Sequence, residues 1–413
     1  MRAWPSPQLP AVPGRGTAPL VYDSASDSLV AAEPAGDTAT LYVCGITPYD
    51  ATHLGHAATY LAFDTLQRVW RDAGYAVRYA QNITDVDDPL LERAARDGVD
   101  WQRLAADEID GFRADMAALG IIPPDAYIAV TERIEPTALA VAELLARGAA
   151  YRVPAPDASA DSDRVDIYFD ATAAADASPW RLGQESRLPH DEMLRLFGER
   201  GGDPDRAGKR DRLDPLLWRA RRDGEPWWDS PVGAGRPGWH IECAVIALDE
   251  LGSTVTVLGG GSDLLFPHHE FSAAHASALS GETAAQLYAH AGMVAYQGEK
   301  MSKSLGNLVK VSELRARGAD PRGIRLALLA QHYRTDWEWT DAMLPDALER
   351  LARWSAAPVI EGDDGAPLHA LRAALHDDLD TPRALGVVDA AVAAGGLSPE
   401  LRAGIHLLLG IEL

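Results

Sequence analysis

Lysine is almost missing from this chain of 413 residues. Of its 38 basic residues only Lys209, Lys300, Lys303 and Lys310 are lysine, and arginine carries the rest. Lys300 and Lys303 share one polar loop, where a compact ammonium suits a phosphate; a solvated basic loop has the same composition. Cysteine is equally scarce. Cys44 and Cys243 are the whole supply, which excludes a disulfide scaffold and leaves buried free thiols or metal ligands. No apolar run reaches the roughly 18 residues of a membrane span. The opening MRAWPSPQLPAVPGRG has no apolar core of a secretory signal. A cytoplasmic protein with no membrane partner is expected. Net positive charge is missing too: 61 acidic residues against 38 basic give −23. Wide contact with a phosphate backbone needs a basic surface, so nucleic acid is not an expected partner.

What remains is an ordinary globular balance, 47% hydrophobic and 24% charged, at a length that allows two or three domains. Residues 1–38 are rich in Pro, Ala and Gly and read as an irregular arm with one strand at Leu20–Tyr22. Thr40–Cys44 reads as a strand, Ala57–Ala73 as a helix with Leu61, Leu66, Val69 and Trp70 at helical intervals, and Val77–Ile83 as a strand. That β–loop–α–β order begins a parallel α/β sheet, whose ligands bind beyond the carboxyl ends of the strands. Asp87–Gly120 and Thr131–Arg147 read as helices, and Val165–Phe169 as a strand. Residues 120–235 are read as an insertion into the sheet domain. Val311–Arg317 and Arg322–His332 are expected helices, and 341–413 is a helical tail with 12 acidic and 5 basic residues, 5 − 12 = −7.

Chemistry gathers in residues 239–304. Cys243 and His268, with Cys44 far upstream, could hold zinc, which favours thiolate and imidazole. No close CxxC pair supports this, and His240 and His269 compete as ligands. Gly259, Gly260 and Gly261 follow the apolar run Thr254–Leu258 and are expected to form a tight turn that accepts a nucleotide, with Asp263 available to ribose hydroxyls. Earlier, His53-Leu54-Gly55-His56 places two imidazoles at a helix start, where free N–H groups and the helix dipole suit phosphate. Capping or surface histidines fit that spacing as well.

Together, YVCGITPYDATHLGHA, NITDVDD, ERGGDP, GWHIEC, GGGSDLLFPHHE and KMSKSLGN resemble, in order, the motifs of class I aminoacyl-tRNA synthetases of the cysteinyl branch. The resemblance covers roughly residues 40–340. It implies an α/β fold: a Rossmann-type class I synthetase catalytic domain at 39–340 with an inserted α+β region, between the arm and a small C-terminal helical bundle. It implies activation of L-cysteine by ATP with Mg²⁺ to the aminoacyl-adenylate. His53 and His56 would contact the phosphates, and Lys300 and Lys303 would stabilise the departing pyrophosphate. Gly261, Ser262, Asp263 and Val294 would line the adenosine site, and Trp239 and Thr84 the cysteinyl part. Cys44, Gly45, Ile46, Thr47, Thr59, Asn82 and Ile83 would complete the adenylate contacts. Cys44, Cys243 and His268 match the family's zinc ligands, one Zn²⁺ per chain. Where the tRNA synthetases add a Glu four residues after that histidine, this chain has Ser272, which implies three protein ligands and an open place for a substrate thiolate.

Four departures point away from tRNA: the short acidic tail, His56 and Ala58 where the tRNA enzymes usually have Asn and Arg, the long Pro-rich arm, and the overall charge. They resemble the cysteine:glucosaminyl-inositol ligases of mycothiol biosynthesis. That family implies glucosaminyl-inositol as the acceptor, amide formation with release of AMP, and a monomer. A cysteinyl-tRNA synthetase is the alternative, and a non-catalytic zinc- and nucleotide-binding relative a third reading.

Overall fold

The structure is a computed structural model that describes residues 1–156, 164–301, 306–361 and 365–413, without the Lys300 side chain. The N-terminal arm lies on the main body: Trp4 is buried and its Nε1 donates to the Ile121 carbonyl at 2.7 Å. The arm ends in an antiparallel hairpin, β1 (Leu20–Asp23) and β2 (Ser28–Ala31). The second strand escapes sequence reading because SLVA is short and mostly exposed, with no alternation to detect.

The central sheet starts with β3 (Thr38–Val43), followed by α1 (Leu54–Ala73) and β4 (Ala76–Ile83). Helix α1 begins three residues before the expected Ala57 because His53 itself caps it, accepting the Gly55 N–H. The stretch expected as one helix over Asp87–Gly120 is two, α2 (Asp88–Asp97) and α3 (Trp101–Ala118), because Asp100 caps a new start by accepting the Arg103 N–H. Next comes β5 (Ala126–Ala129), which pairs in parallel with β4. The chain therefore stays in the central sheet through Ala129, beyond the boundary expected near 120. Four residues carry too little period to be read as a strand.

Helix α4 (Ile134–Ala146) leads out of the sheet. The inserted region has its own antiparallel sheet of β6 (Ala150–Pro154), β7 (Val165–Phe169), β8 (Leu216–Ala220) and β9 (Gly235–Pro237), in that order. Between β7 and β8 lie α5 (Ala171–Ala177) and α6 (His190–Glu199). The chain then returns through α7 (Trp239–Leu251), β10 (Val255–Gly261), α8 (Glu270–Ser280) and β11 (Ala285–Ala291). The central sheet is wholly parallel, in the order β5-β4-β3-β10-β11. Chain order reverses between β3 and β10, and a ligand crevice opens at the carboxyl ends of strands at such a switch.

Beyond it, β12 (Val294–Tyr296), β13 (Glu299–Lys300) and, after α9 (Val311–Ala316) and α10 (Pro321–Leu329), β14 (Trp337–Trp339) make a small sheet. The tail is helical as expected: α11 (Met343–Ala356), α12 (Ala366–His376), α13 (Thr381–Ala393) and α14 (Pro399–Gly404), extended by one wide turn to Leu409. It shares one hydrophobic core with the catalytic sheet, running from Leu41 and Leu61 to Leu375, Ile405 and Ile411. A buried ionic knot ties the two. Asp64 on α1 accepts from Arg68 at 2.7 Å and from Arg325 on α10. The guanidinium groups also donate to carbonyls of the final helical turn, Arg68 to Leu407 at 2.9 Å and Arg325 to Leu409 at 2.6 Å. Every buried charge in the knot thus has partners, which such burial requires.

Candidate active site

The switch point brings together side chains that are distant in sequence. Cys44 follows β3, Cys243 lies in the second turn of α7, and His268 lies just before α8. Their sulfur and nitrogen atoms fall within 4.8 Å of one another, and all three residues are buried. The two sulfurs are 3.9 Å apart, and His268 Nε2 is 3.2 Å from Cys243 Sγ. Tetrahedral zinc with bonds of about 2.3 Å to sulfur spaces its ligands by roughly 3.8 Å, so this donor set fits the ion. Burial opposes ionisation of Cys243, but its hydrogen bond with Cys44 and the nearby His268 outweigh that and hold the thiol low. Burial and the Cys243 partner push Cys44 up. Metal binding takes both sulfurs to the thiolate and displaces their protons.

The surroundings orient these ligands. His268 Nδ1 lies 3.0 Å from His240 Nδ1, leaving Nε2 directed at the cysteines. Burial, then His268 and His275, keep His240 well below its usual range, and its Nδ1 is engaged with His268 and not with the cysteines. This removes His240 as a competing ligand. His269 turns the other way, its Nδ1 2.8 Å from His290 Nε2. Trp239 stacks on His268 with ring centroids 4.2 Å apart. Ser272 Oγ donates to the His240 carbonyl at 3.1 Å. It braces α7, and among the described residues the ligand set is Cys44, Cys243 and His268.

The other half of the site surrounds the start of α1. The His53 and His56 rings stack at 3.9 Å. The Leu54 N–H donates to the Val309 carbonyl at 2.9 Å, and His53 forms a backbone bridge with Lys310. The segment following the lysine loop is therefore fastened to the helix start. Lys300 lies on β13, with its backbone opposite Ala295. Lys303 falls outside the described residues. A Cβ built on Gly55 would lie 4.0 Å from Val294, and one on Gly261 would lie 2.7 Å from Asp263 and 3.9 Å from Thr59. Val294, Gly261, Asp263 and Thr59 thus border the same N-terminus.

One expectation changes. Gly259, Gly260 and Gly261 are not a turn but the last residues of β10, paired with Ala289, His290 and Ala291. Glycine is needed because Phe63 packs against the strand, 2.3 Å from where a Gly259 Cβ would stand; the turn begins at Ser262. Ile83 is buried in the core, next to the equally buried Asn82 and Thr84. Asn82 organises its neighbours: Oδ1 accepts from Gly45 N–H at 2.8 Å, Nδ2 donates to Thr84 Oγ1 at 3.1 Å, and the Thr84 N–H donates to the Ile46 carbonyl. Thr47 follows Ile46 in this loop, and its carbonyl accepts the Tyr49 N–H at 2.8 Å.

A doubly wound parallel sheet with an imidazole pair on its first helix and a Cys–Cys–His cluster at the switch point defines a class I synthetase core. The family model described as "tRNA synthetases class I (C) catalytic domain" matches residues 32–349, and the chain belongs to that family. Within it, the chain is 60% identical over 422 aligned residues to the L-cysteine:1D-myo-inositol 2-amino-2-deoxy-alpha-D-glucopyranoside ligase of Clavibacter michiganensis subsp. michiganensis, covering 100% of this chain and 99% of that one. The ligase of the same name from Mycobacterium sp. (strain KMS) is 55% identical, with 100% and 99% covered. Among solved structures, Mycobacterium tuberculosis methionyl-tRNA synthetase in complex with methionyl-adenylate superposes with a TM-score of 0.61 at 17% identity, covering 87% of this chain and 82% of that one. That likeness concerns the fold.

Proposed function

We propose that this chain is an ATP-dependent ligase that activates L-cysteine as cysteinyl-adenylate and joins it to the amine of glucosaminyl-inositol. The observation that carries the reading is the buried Cys44–Cys243–His268 cluster at the switch point, in a chain that matches these ligases from end to end. In the first step the cysteine carboxylate attacks the α-phosphorus of Mg²⁺–ATP and pyrophosphate leaves. His53 and His56, at the positive end of the α1 dipole, bind the phosphates. Lys300 and Lys303 neutralise the charge that grows on the pyrophosphate, so the protein acts chiefly by positioning and electrostatic stabilisation. Gly261, Ser262, Asp263, Val294 and Thr59 border the adenosine, and Cys44–Thr47, Asn82 and Thr84 border the aminoacyl part.

Zn²⁺ held by Cys44, Cys243 and His268 would supply a soft Lewis acid for the substrate sulfur, which separates cysteine from serine. Trp239, stacked on His268, would stand beside the cysteinyl part. In the second step the glucosamine nitrogen attacks the cysteinyl carbonyl, the amide forms, AMP leaves, and the amine's proton goes to solvent. The acidic tail and the charge of −23 favour a small acceptor over tRNA. No helix among the described residues is long and apolar enough to cross a membrane; the family reading carries with it a cytoplasmic monomer. ATP–pyrophosphate exchange tests the first step: it should depend on cysteine, fail with serine, and vanish on chelation of zinc. Exchange with serine at a rate comparable to cysteine would remove the metal from the discrimination.

A further inference from the structure

ERGGDP, residues 199–204, has no part in the chemistry above, yet the structure gives its arginine a definite task. The segment 263–270 carries the nucleotide side of the site at Asp263 and the metal side at His268. Its helical path is interrupted in between. Phe266 has φ −139° and ψ 136°, outside the helical region. Pro267 has no N–H, so the Asp263 carbonyl loses the donor that an unbroken helix would provide four residues on. The Glu270 N–H is spent on the Leu265 and Pro267 carbonyls, which leaves the Phe266 carbonyl without it. Arg200 Nη1 answers both: it donates to the Asp263 carbonyl at 2.6 Å and to the Phe266 carbonyl.

The base from which Arg200 reaches is rigid. The Gly202 N–H closes onto the Phe197 carbonyl at 2.8 Å, and Asp203 accepts from Tyr168 and from Lys209 at 3.1 Å. Lys209 lies over the Phe197 ring, 4.8 Å from its centroid, and Phe197 meets Phe271 of α8 edge to face. The far end of the same segment is gripped by the inserted region again: the Glu270 carboxylate accepts the Gly183 N–H at 2.8 Å and the Ser186 N–H at 2.9 Å.

We propose that Arg200 is a positioning residue that sets the spacing between the nucleotide and metal halves of the site by replacing the hydrogen bonds Pro267 cannot make. Its ATP arm rests on the reading under Proposed function; its metal arm needs only the Cys44–Cys243–His268 cluster. The test measures ATP KM in cysteine-dependent exchange and Zn²⁺ affinity by competition with a chelating dye. Arg200→Ala should raise the KM and weaken Zn²⁺ binding by about 10- to 100-fold each, the span of a lost charge-assisted hydrogen bond. Arg200→Lys, whose ammonium can donate to both carbonyls, should recover part of both losses. Arg195→Ala removes exposed pairs to Glu192 and Glu199 on the same helix and should change neither value. Values within twofold of wild type in folded Arg200→Ala overturn the proposal, as does an equal loss in Arg195→Ala. If Arg200→Ala does not fold, Arg200→Gln, compared with Arg200→Lys on the same two measurements, decides. If the wild-type chain shows no cysteine-dependent exchange, the functional reading fails while the Zn²⁺ arm still judges Arg200.

Discussion

Ser272 stands where the resemblance to tRNA synthetases leads one to look for a fourth metal ligand, and its hydroxyl is turned to the His240 carbonyl. Ser272→Ala should therefore leave zinc stoichiometry unchanged and cost about 1 kcal/mol of stability, the usual worth of one hydrogen bond. Cys243→Ala should instead lower metal affinity by well over the ~100-fold that mutation of outer-shell partners can bring. Metal analysis of the two purified variants, with thermal unfolding, separates a brace from a ligand. At this scale the sequence was readable in part. The residue types were visible, but Cys44 lies 199 residues from Cys243, and only the packing of α7 against β3 and β4 joins them. Nor could spacing rank His240 against His268, because the distinction is which imidazole nitrogen faces which neighbour. Arg200 left a trace in its motif, but its partners are backbone carbonyls, which have no residue type to read.

Between elements, the contact of the inserted region with α8 has its own pH dependence. Burial and then the neighbouring Glu270 push the Glu185 carboxyl well above the ordinary glutamate value of 4.5. Trp180 Nε1 donates to Glu185 at 3.0 Å. The folded chain thus holds a proton there that the unfolded chain releases. The contribution of this pair is complete below pH 4.5 and is lost as pH rises toward the folded pKa. Glu185→Gln keeps a donor facing Glu270 at any pH. Denaturant unfolding at pH 5 and pH 8 should show the variant gaining on the wild type as pH rises; a pH-independent difference would contradict this assignment. The elements themselves were legible where apolar periodicity was long, as in α1 and the helical tail, and where a short apolar run stood out, as in β1 and β7. Other short strands were not. β2 and β5 depend on pairing partners more than on their own four residues, and the β10 glycines read as a turn because the close approach of Phe63 is a tertiary fact.

Over the whole molecule, the C-terminal bundle is not an appendage. Carbonyls of its final helical turn cap Arg68 and Arg325, and these hold Asp64 in the middle of the helix that carries both imidazoles. Burial pulls Arg325 down to about 10, so it stays charged at neutral pH and needs its partners. Asp64→Asn should cost about 3–5 kcal/mol, because two buried cations would lose their counter-charge. Hydrogen exchange should then show α1 and the segment 405–411 opening together; independent opening would mean the bundle is a separate unit. The central claim is the acceptor. Purified chain, given ATP and L-cysteine, should release AMP and form one new amide, seen by mass spectrometry, when glucosaminyl-inositol is added, and should not charge tRNA. Cysteinyl-tRNA formation without the sugar amide would contradict the account.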